Sequence, residues 1–419
     1  MGAFHVLRGL SYLVFLIALA PLTYYCLAIF SSWDYFKRAK KRNAIQPDVF
    51  PPVSILKPVC GIDRELYENF ASMCRLDYPA YEIIFGIGEV DDPAIPLVCQ
   101  LQQEFPEKSI RIIAGIAQLG ASRKTSNLCR LVKEATYDLL VINDSDVRVD
   151  KDYLKDVIAG FSDPKVGLVT ALFRSRAGDG FAQKLDAIGV PTESAATTLL
   201  VRKFGEIDFA YGWTMAITKA RLAEIGGFEA MVNLHSEDFA VGNELAKRGY
   251  RVELIRNPVW MVFPNEMTVE FLKHELRWCV QLKNLRPVGH LGVLLTFGLA
   301  WSLLLALLVP WKVVGAYFFA YLALRFSLAW VTGVWGLQDP VVRRNLWLVP
   351  LRDVVNLCVY VASFFSNNIE WRGLRYRVSG PTMIALMTGS RLNWPRNVLQ
   401  LHRYRKVHTD TENPQNCST

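Results

Sequence analysis

Apolar residues concentrate at the two ends of the chain, and the stretch between them has the mixed polarity of an ordinary globular domain. Residues 10–30 are uncharged and mostly apolar, long enough for a helix that crosses a hydrocarbon core of roughly 30 Å. A cleaved signal peptide is the alternative, but the run is long for one and most of its positive charge follows it. We therefore expect a retained transmembrane helix within residues 1–32.

A second apolar region begins near residue 291 and supplies the other membrane segments. Residues 292–311 and 313–335 predict a tight helical hairpin. A third segment, 346–365, contains Arg352 and Asp353, a charged pair that is costly in lipid. That segment either crosses the membrane or lies partly in the interface. We expect a transmembrane region over 289–370 and a basic tail over 371–419.

Basic residues flank the apolar segments and predict their orientation. The net charge of +8 is concentrated beside these segments, as expected for contact with anionic lipid. Because positive flanks stay in the cytosol, we expect a multi-pass membrane protein whose middle domain faces the cytosol. That domain is nearly charge-balanced, so we expect no nucleic-acid partner. The flanking residues are Lys37, Arg38, Lys40, Lys41 and Arg42 at one end and Arg391, Arg396, Arg403, Arg405 and Lys406 at the other.

The middle of the chain, residues 50–288, alternates short apolar runs with amphipathic ones. Such alternation predicts an α/β domain with a mostly parallel sheet, and ligands of such sheets bind beyond the carboxyl ends of the strands. The predicted strands are 53–59 (interrupted by Pro58), 81–87, 110–113 and 137–143, and the predicted helices are 65–74, 94–105, 124–135 and 239–247.

Acidic residues follow two of these strands. Asp144 and Asp146 come after the YDLLVIN strand, and two carboxylates at this spacing can share a divalent cation that also holds a diphosphate. A turn that uses Asp for backbone hydrogen bonds is the alternative. Asp91 and Asp92 follow the predicted strand 81–87, where a helix cap ahead of Pro93 competes with a binding role.

Two later segments complete the set of candidate residues. Asp238, in the sequence Ser-Glu-Asp, precedes a helical stretch, so helix capping again competes with chemistry. Arg277 and Trp278 lie just before the chain returns to the membrane, where Arg can neutralise a departing diphosphate and Trp offers an apolar wall. A basic interfacial helix with an aromatic side chain at the membrane surface is the alternative.

Taken in order, these segments resemble the ceramide glucosyltransferase family, membrane enzymes with a GT-A-type nucleotide-sugar domain. The bacterial hopanoid-associated glycosyltransferases are similar and share nearly all of the motifs. The resemblance covers residues 52–378, most of the chain. Its motifs are LKPVCGID (56–63), DDPAI (91–95), the Lys124 and Asn127 segment, DSDVRV (144–149), VGLVTAL (166–172), SEDF (236–239), the Arg277–Trp278 pair and WRGLRYRV (371–378).

The resemblance implies an inverting transfer of a hexose, glucose or N-acetylglucosamine, from a UDP-sugar to a ceramide-like or hopanoid lipid alcohol. It implies that Asp92 binds the nucleotide and that Asp144 and Asp146 bind Mg²⁺ or Mn²⁺ with the diphosphate. It also implies Asp238 as general base, with Arg277 and Trp278 at the diphosphate and the acceptor. The family motif usually opens with Gln or Arg three residues before the Arg-Trp pair, and here that residue is His274.

Other functions agree less well with the sequence. A glycoside hydrolase uses paired carboxylates but needs no metal motif or membrane segment. A processive polysaccharide synthase has to move a polymer across the bilayer, and the predicted membrane segments are few for that. A non-catalytic membrane scaffold would leave the acidic residues without a shared role. A P-loop or dinucleotide enzyme is disfavoured because neither glycine-rich motif follows a strand.

Overall fold

The computed structural model describes residues 2–41, 49–264 and 268–386, and within these it leaves the side chains of 2–8, 10 and 41 undescribed. Arg42 and the basic residues predicted after 386 lie outside the described residues.

The strands of the described residues form three sheets. In chain order they are β1 (Val53–Val59), β2 (Tyr81–Ile87), β3 (Ser109–Ile113), β4 (Leu139–Ile142), β5 (Val147–Arg148), β6 (Val166–Thr170), β7 (Phe173–Arg176), β8 (Met215–Thr218), β9 (Arg251–Leu254), β10 (Val259–Val262), β11 (Asn368–Trp371), β12 (Leu374–Ser379) and β13 (Thr382–Leu386).

The α-helices pack on the sheets or form the apolar ends. In chain order they are α1 (Gly2–Lys41), α2 (Leu66–Cys74), α3 (Ile95–Glu104), α4 (Arg123–Glu134), α5 (Tyr153–Gly160), α6 (Phe181–Ala187), α7 (Gly189–Thr192), α8 (Ser194–Phe204), α9 (Lys219–Glu224), α10 (Glu237–Lys247), α11 (Thr268–Leu285), α12 (Pro287–Val293), α13 (Gly298–Leu305), α14 (Trp311–Ala329), α15 (Pro340–Asn345) and α16 (Val349–Ser363).

The main sheet has the strand order β3-β2-β1-β4-β8-β6-β9. The first four strands are parallel, β8 is antiparallel to both of its neighbours, and β9 is parallel to β6. This confirms the predicted α/β class with a mixed, mostly parallel sheet. Strand β1 continues through Pro58, which the sequence pattern placed as an interruption. Its pairing with β4 ends at Leu56, so Pro58 lies beyond that ladder, where a missing N–H costs less.

Both faces of the main sheet are covered. Alternate residues of β1 point to opposite sides: Ile55 joins a cluster with Phe70 and Val98 of α2 and α3. On the other face, Leu56 joins a cluster with Leu128 of α4 and with residues of α8, α9 and α10. Burial on both sides explains why these strands are apolar without alternation.

Helix α1 extends well beyond the predicted membrane segment. Its far end packs into the middle domain, where Phe36 is buried in the same apolar cluster as Leu199 and Leu337. Tyr24 shares a hydrogen bond of 2.8 Å with Thr197 of α8, and Asp34 forms an ion pair of 2.7 Å with Lys203. The boundary predicted at residue 32 therefore falls within one continuous helix.

Three helical segments of the described residues are long and apolar enough to cross a membrane: Ser11–Lys40, Trp311–Gly336 and Pro340–Ser363. The first arm of the predicted hairpin is different from what we expected. Pro287–Thr296 and Gly298–Leu305 are two short helical pieces that meet at an angle of 62°. The break lies at Phe297, whose N–H bonds to the Leu294 carbonyl in a tight turn.

The charged pair of the third segment is buried in protein. Arg352 is 4% exposed and Asp353 is 9% exposed. Arg352 forms ion pairs with Glu275 (2.6 Å) and Glu193 (3.4 Å), and Asp353 pairs with Arg325 of α14 at 3.0 Å. The pair thus packs against other charged groups, which is how charges near a membrane are normally accommodated.

The residues that open the predicted basic tail are folded. Strands β11, β12 and β13 form an antiparallel sheet over residues 368–386. The β11–β12 hairpin turns at Arg372 and Gly373, which have φ values of 49° and 76°, as a two-residue turn of this type requires. The sequence prediction of a basic tail assigned no strands here, although Leu374, Tyr376 and Val378 alternate along the chain as strand residues do.

Candidate active site

The Asp144–Asp146 loop follows β4 at the carboxyl edge of the parallel strands. The neighbouring strand β1 delivers Lys57 and Asp63 to the same edge. Lys57 is fully buried, and its Nζ donates to the backbone carbonyl of Asp144 at 2.6 Å. Ser145 Oγ donates to Asp63 Oδ2 at 2.5 Å. The loop is therefore held in place by two residues that follow from β1, the buried Lys57 and the acidic Asp63.

Burial lowers the pKa of Lys57 to about 8, against the opposing effect of Asp146, Asp144 and Asp63. Burial also raises the pKa of Asp146 to about 7, with the charges of Asp144 and Asp63 acting in the same direction. The carboxylates at this edge thus repel one another, and a cation placed among them would stabilise their charged forms.

A lysine from α4 reaches the same carboxylates. Ser122 caps α4 by accepting the Thr125 N–H at 3.2 Å, and Lys124 follows in the first turn. Its Nζ pairs with Asp144 and, at 2.7 Å, with Glu237. Burial disfavours the charged lysine, but the carboxylates outweigh burial and raise its pKa. A lysine in the first turn opposes the helix dipole, so its position is explained by these carboxylates.

Asp238 completes the cluster from the first turn of α10. Its Oδ2 accepts the Gly212 N–H at 2.9 Å and its Oδ1 accepts the Phe239 N–H at 2.8 Å. A Cβ at Gly212 would lie 2.9 Å from Asp144 Oδ2, 3.0 Å from Lys124 Nζ and 3.3 Å from Asp238 Oδ2. The three charged groups therefore surround one glycine. Burial, followed by the charge of Glu237, raises the pKa of Asp238 to about 7.

A backbone turn was the alternative role for Asp144 and Asp146, and helix capping was the alternative role for Asp238. In the part of the chain that the structure describes, neither Asp144 nor Asp146 accepts a backbone N–H with its side chain, so the turn alternative does not account for them. Helix α10 has Ser236 at its N-cap position, so Asp238 lies inside the first turn, where one of its oxygens accepts the N–H of the next residue. The second oxygen reaches Gly212, outside the helix.

The residues at the Asp144–Asp146 loop fit a divalent cation. Asp146 Oδ1 is buried without a hydrogen-bond partner in the described residues, and an acceptor left in that state is costly. Within the same residues no cluster of three or more His, Cys, Asp or Glu side chains has metal-binding geometry. A cation held here would take two protein carboxylates and leave its other positions to small ligands, as Mg²⁺ commonly does.

Asp92 lies beside the site and outside the cavity wall. It is 8% exposed, and its two oxygens accept the N–H groups of Gly61 (2.8 Å) and Ala94 (2.9 Å). It thereby joins the loop after β1 to the start of α3. Gly61 has a φ of 72°, which suits this tight loop, and the adjacent Cys60 lines the cavity.

Arg277 and Trp278 both line the cavity from α11. The Arg277 guanidinium lies 5.6 Å from the Trp371 ring centre. Trp278 makes an edge contact with His274, whose Nδ1 lies 3.2 Å from Asp186. Because α11 is packed between α16 and the β11–β13 sheet, the alternative of a helix lying alone in the interface does not describe it. His274 therefore packs between the Trp278 ring and Asp186.

One cavity of about 1160 Å³ contains the charged cluster and continues between the apolar helices. Its polar end is lined by Asp144, Asp146, Lys124 and Asp238. Its other end is lined by residues of the candidate membrane segments and the bent helix pair, among them Tyr24, Phe297, Leu328 and Tyr360. A ligand that occupies both ends would have a charged or polar part and an apolar part.

Several residues of this site escaped the sequence analysis as candidates. Lys57 and Asp63 were visible only as members of the LKPVCGID motif, and Arg372 only within WRGLRYRV. The position of Lys124 against its helix dipole was a usable signal. Gly212 gave none, because its role depends on side chains brought together from α4, β4 and α10.

The family model described as glycosyl transferase family 21 matches residues 13–384, from within α1 to within β13. The chain belongs to glycosyl transferase family 21. It is therefore a glycosyltransferase, and the resemblance to the ceramide glucosyltransferases is confirmed.

Two curated relatives and one solved structure are similar to this chain. "Ceramide glucosyltransferase 1" of Caenorhabditis elegans is 24% identical over 359 residues, covering 82% of this chain and 76% of that protein. The "Ceramide glucosyltransferase" of Komagataella phaffii is 29% identical over 143 residues, covering 32% of this chain and 28% of that protein. Among solved structures, a mannosyltransferase of Pyrobaculum calidifontis in complex with GDP-Man and Mn²⁺ is similar at 17% identity with a TM-score of 0.47, over 83% of this chain and 91% of that one.

Proposed function

We propose that this family 21 member transfers glucose, or alternatively N-acetylglucosamine, from a UDP-sugar to a ceramide-like or hopanoid lipid alcohol with inversion at the sugar. The observation that carries the proposal is the single cavity that joins the Asp144–Asp238 cluster to the walls of the apolar helices. A soluble acceptor would not need the apolar end of this cavity, which is called the apolar arm below. The names of the Caenorhabditis elegans and Komagataella phaffii relatives favour glucose and ceramide among the possible substrates.

In the proposed reaction Asp238 is the general base. Its carboxylate accepts the proton of the lipid hydroxyl while that oxygen attacks the sugar and the bond to the diphosphate breaks. Gly212 and Phe239 hold the carboxylate in place through their N–H groups. A single base suffices for direct displacement with inversion. The apolar arm brings the hydroxyl to that base and so supplies part of the rate enhancement by proximity.

Positive groups would stabilise the leaving diphosphate. Arg277 lines the cavity near Trp371 and would neutralise part of the charge that develops on the diphosphate oxygens. Asp144 and Asp146 would hold a Mg²⁺ or Mn²⁺ ion, which when bound supplies a Lewis acid for the same oxygens. The assignment of Asp92 to the nucleotide stays a prediction, supported by its place beneath the loop of Cys60 and Gly61.

The cation requirement has a direct test. Dialysis against excess chelator should abolish turnover, and added Mg²⁺ or Mn²⁺ should restore it. Asp146→Asn should bind the cation more weakly and so need a higher concentration of it for turnover. Asp91→Asn, which changes an exposed residue one position before Asp92, should behave as wild type. Full turnover after verified removal of the metal would contradict the proposal.

The catalytic domain should face the cytosol, because Lys37, Arg38 and Lys40 follow the first apolar segment directly. Cys60 is a free, exposed thiol at the cavity. In a variant that keeps only this cysteine, a membrane-impermeant thiol reagent should label it in inside-out vesicles and leave it unlabelled in intact cells. The reverse pattern would refute the orientation.

The decisive experiment for the reaction is a nucleotide-release assay on the full chain in detergent. A panel of UDP-sugars is tested with ceramide, with a hopanoid alcohol and without lipid. We expect lipid-dependent UDP release with one sugar, and a glycolipid product of inverted configuration. Release that is equal with and without every lipid would point to a different acceptor class and would overturn the lipid assignment.

A further inference from the structure

The C-terminal β11–β13 sheet reaches across the chain to the catalytic loop. The guanidinium of Arg372, at the hairpin tip, bonds to both oxygens of Asp63 at 2.8 and 3.0 Å. Asp63 in turn accepts the Ser145 hydroxyl of the Asp144–Asp146 loop. A single carboxylate therefore separates the guanidinium from the loop that is proposed to hold the diphosphate. Arg372 and Asp63 lie 309 positions apart in the sequence.

The far side of this sheet is firmly attached, so the tip has a defined position. The His235 N–H donates to Pro381 at 3.2 Å, and the Met383 N–H donates to Asn233 at 2.9 Å. Tyr376, Val378 and Met383 share an apolar cluster with Val280 of α11. The hairpin tip thus projects from a base that is fixed to the segment ahead of Asp238 and to the helix of Arg277.

Arg372 occupies a backbone conformation that favours glycine or asparagine. Its φ of 49° costs an arginine of the order of 1 kcal/mol relative to glycine. The neighbouring Gly373 shows that the turn is built for positive φ at both positions. The guanidinium and the adjacent Trp371 both line the cavity, and the Arg372 side chain keeps 45% of its surface exposed. An arginine whose only role was to close the hairpin would not need to face the cavity.

The charge balance of the polar end needs a cation in addition to Arg277 once a diphosphate arrives. Within the bonded cluster around the Asp144–Asp146 loop, carboxylates outnumber cationic side chains before any ligand binds, and a divalent ion would balance that excess without neutralising a nucleotide diphosphate. The carboxylates are Asp63, Asp144, Asp146, Glu237 and Asp238; the cationic side chains of the cluster are Lys124 and Arg372, which pair with these carboxylates, and Lys57, which bonds to the Asp144 backbone carbonyl. Lys57 and Lys124 are enclosed among carboxylates, whereas Arg372 is partly exposed.

We propose that Arg372 is a donor-binding residue: its guanidinium leaves Asp63 and binds the diphosphate of the nucleotide-sugar. The inference rests on the proposed function, since it requires a nucleoside diphosphate donor. A guanidinium group binds two phosphate oxygens through parallel N–H bonds, just as it binds the two oxygens of a carboxylate. The exchange therefore replaces one bidentate partner with another. Asp63 is then a resting partner that competes with the donor.

This competition predicts opposite effects for the two partners. Full-length protein in detergent with Mg²⁺ is titrated with UDP and with UDP-glucose, and binding is followed by calorimetry. Arg372→Ala should raise the Kd for UDP about 10- to 100-fold, and Arg372→Lys should raise it less, because a lysine keeps the charge but loses the fork. Asp63→Asn keeps an acceptor for Ser145 and should bind UDP at least as tightly as wild type.

Arg375 provides the matched control, since it is an exposed arginine on the same hairpin. Arg375→Ala and Arg375→Lys should leave UDP binding and the acceptor KM unchanged. If Arg372→Ala does not fold, Arg372→Lys compared with Arg375→Lys carries the test. Wild-type UDP affinity in the Arg372 variants would overturn the inference, as would equal losses in Asp63→Asn and Arg372→Ala, which would mark the pair as structural.

The outcomes also separate this inference from the proposed function. If the wild-type protein binds UDP and transfers glucose while the Arg372 variants are normal, the inference alone fails. If the wild-type protein binds no UDP and releases none with any lipid, the proposed donor is wrong and the inference falls with it.

Discussion

Gly212 donates its N–H to Asp238 at 2.9 Å while its own Cα faces the Asp144 carboxylate and the Lys124 ammonium group. The glycine therefore sets the spacing between the residue proposed as base and the residues proposed to hold the metal and diphosphate. Any side chain at this position would enter the space where the carboxylates approach each other.

Gly212→Ala should lower activity with little loss of stability. The new methyl group would lie within 3.0 Å of Asp144 and Lys124 atoms, and these are ends of side chains that can move aside without disturbing the sheet. Their displacement should reduce turnover about 10- to 100-fold, as misplaced catalytic groups do. The measurement is kcat and the melting temperature of purified protein. Gly205→Ala is the control, because a Cβ there meets its nearest atom at 3.5 Å; equal activity of both variants would show that the spacing is unimportant.

Asp238→Asn should abolish catalysis and preserve donor binding. The amide cannot accept the lipid proton, and loss of a general base costs about 10²- to 10⁴-fold in rate. Asparagine has one acceptor oxygen, so one of the two bonds to Gly212 and Phe239 is lost, at a stability cost of about 1 kcal/mol. Turnover and UDP affinity are measured together. Glu244→Gln, at a half-buried residue of the same helix outside the cavity lining, is the control; near-normal turnover of Asp238→Asn would remove Asp238 from the chemistry.

Activity should have an acidic limb near neutral pH. Burial and the charge of Glu237 raise the pKa of Asp238 to about 7, and only the deprotonated carboxylate can act as base. Below that pH, kcat/KM should fall roughly tenfold per unit, and above it the rate should level off. Because Glu237 raises the pKa of Asp238, Glu237→Gln should move the limb to lower pH. A limb that persists in the residual activity of Asp238→Asn would assign the titration to another group.

The buried pair between α14 and α16 should be essential for stability. Among the described residues, Arg325→Met leaves the carboxylate of Asp353 with only the Tyr321 hydroxyl as partner, and removing one member of a buried pair typically costs about 3 to 5 kcal/mol. The double variant Arg325→Met/Asp353→Leu should recover a large part of that loss. Thermal unfolding in detergent measures both, with the exposed Arg344→Met as control. A single variant as stable as wild type would contradict the buried role.

Local pattern predicted the elements of the catalytic domain well. Strand β2 has the bounds expected from its apolar run, and α4 differs from the prediction by one residue at each end. The DSD loop lies where strand order placed it. These successes share a cause, since apolar periodicity and turn residues act within about a dozen positions.

Features that depend on distant partners were not predictable in the same way. The break at Phe297 divides a stretch that is apolar throughout, so composition gave no sign of it. Arg352 and Asp353 were recognised as costly, but their partners Glu275 and Arg325 come from other helices. The same holds for Arg372, whose partner Asp63 lies near the other end of the chain. A periodic pattern contains no information about such contacts.

The burial of Phe36 has a practical consequence for work on this enzyme. Its ring lies directly against Gly336, where a Cβ would come within 2.2 Å of a ring carbon, and it fills the cluster that contains Leu199 and Leu337. Deleting the first 48 residues to obtain a water-soluble enzyme would leave an apolar hole in the catalytic half. Such a truncated protein should aggregate during purification even though every proposed catalytic side chain is retained.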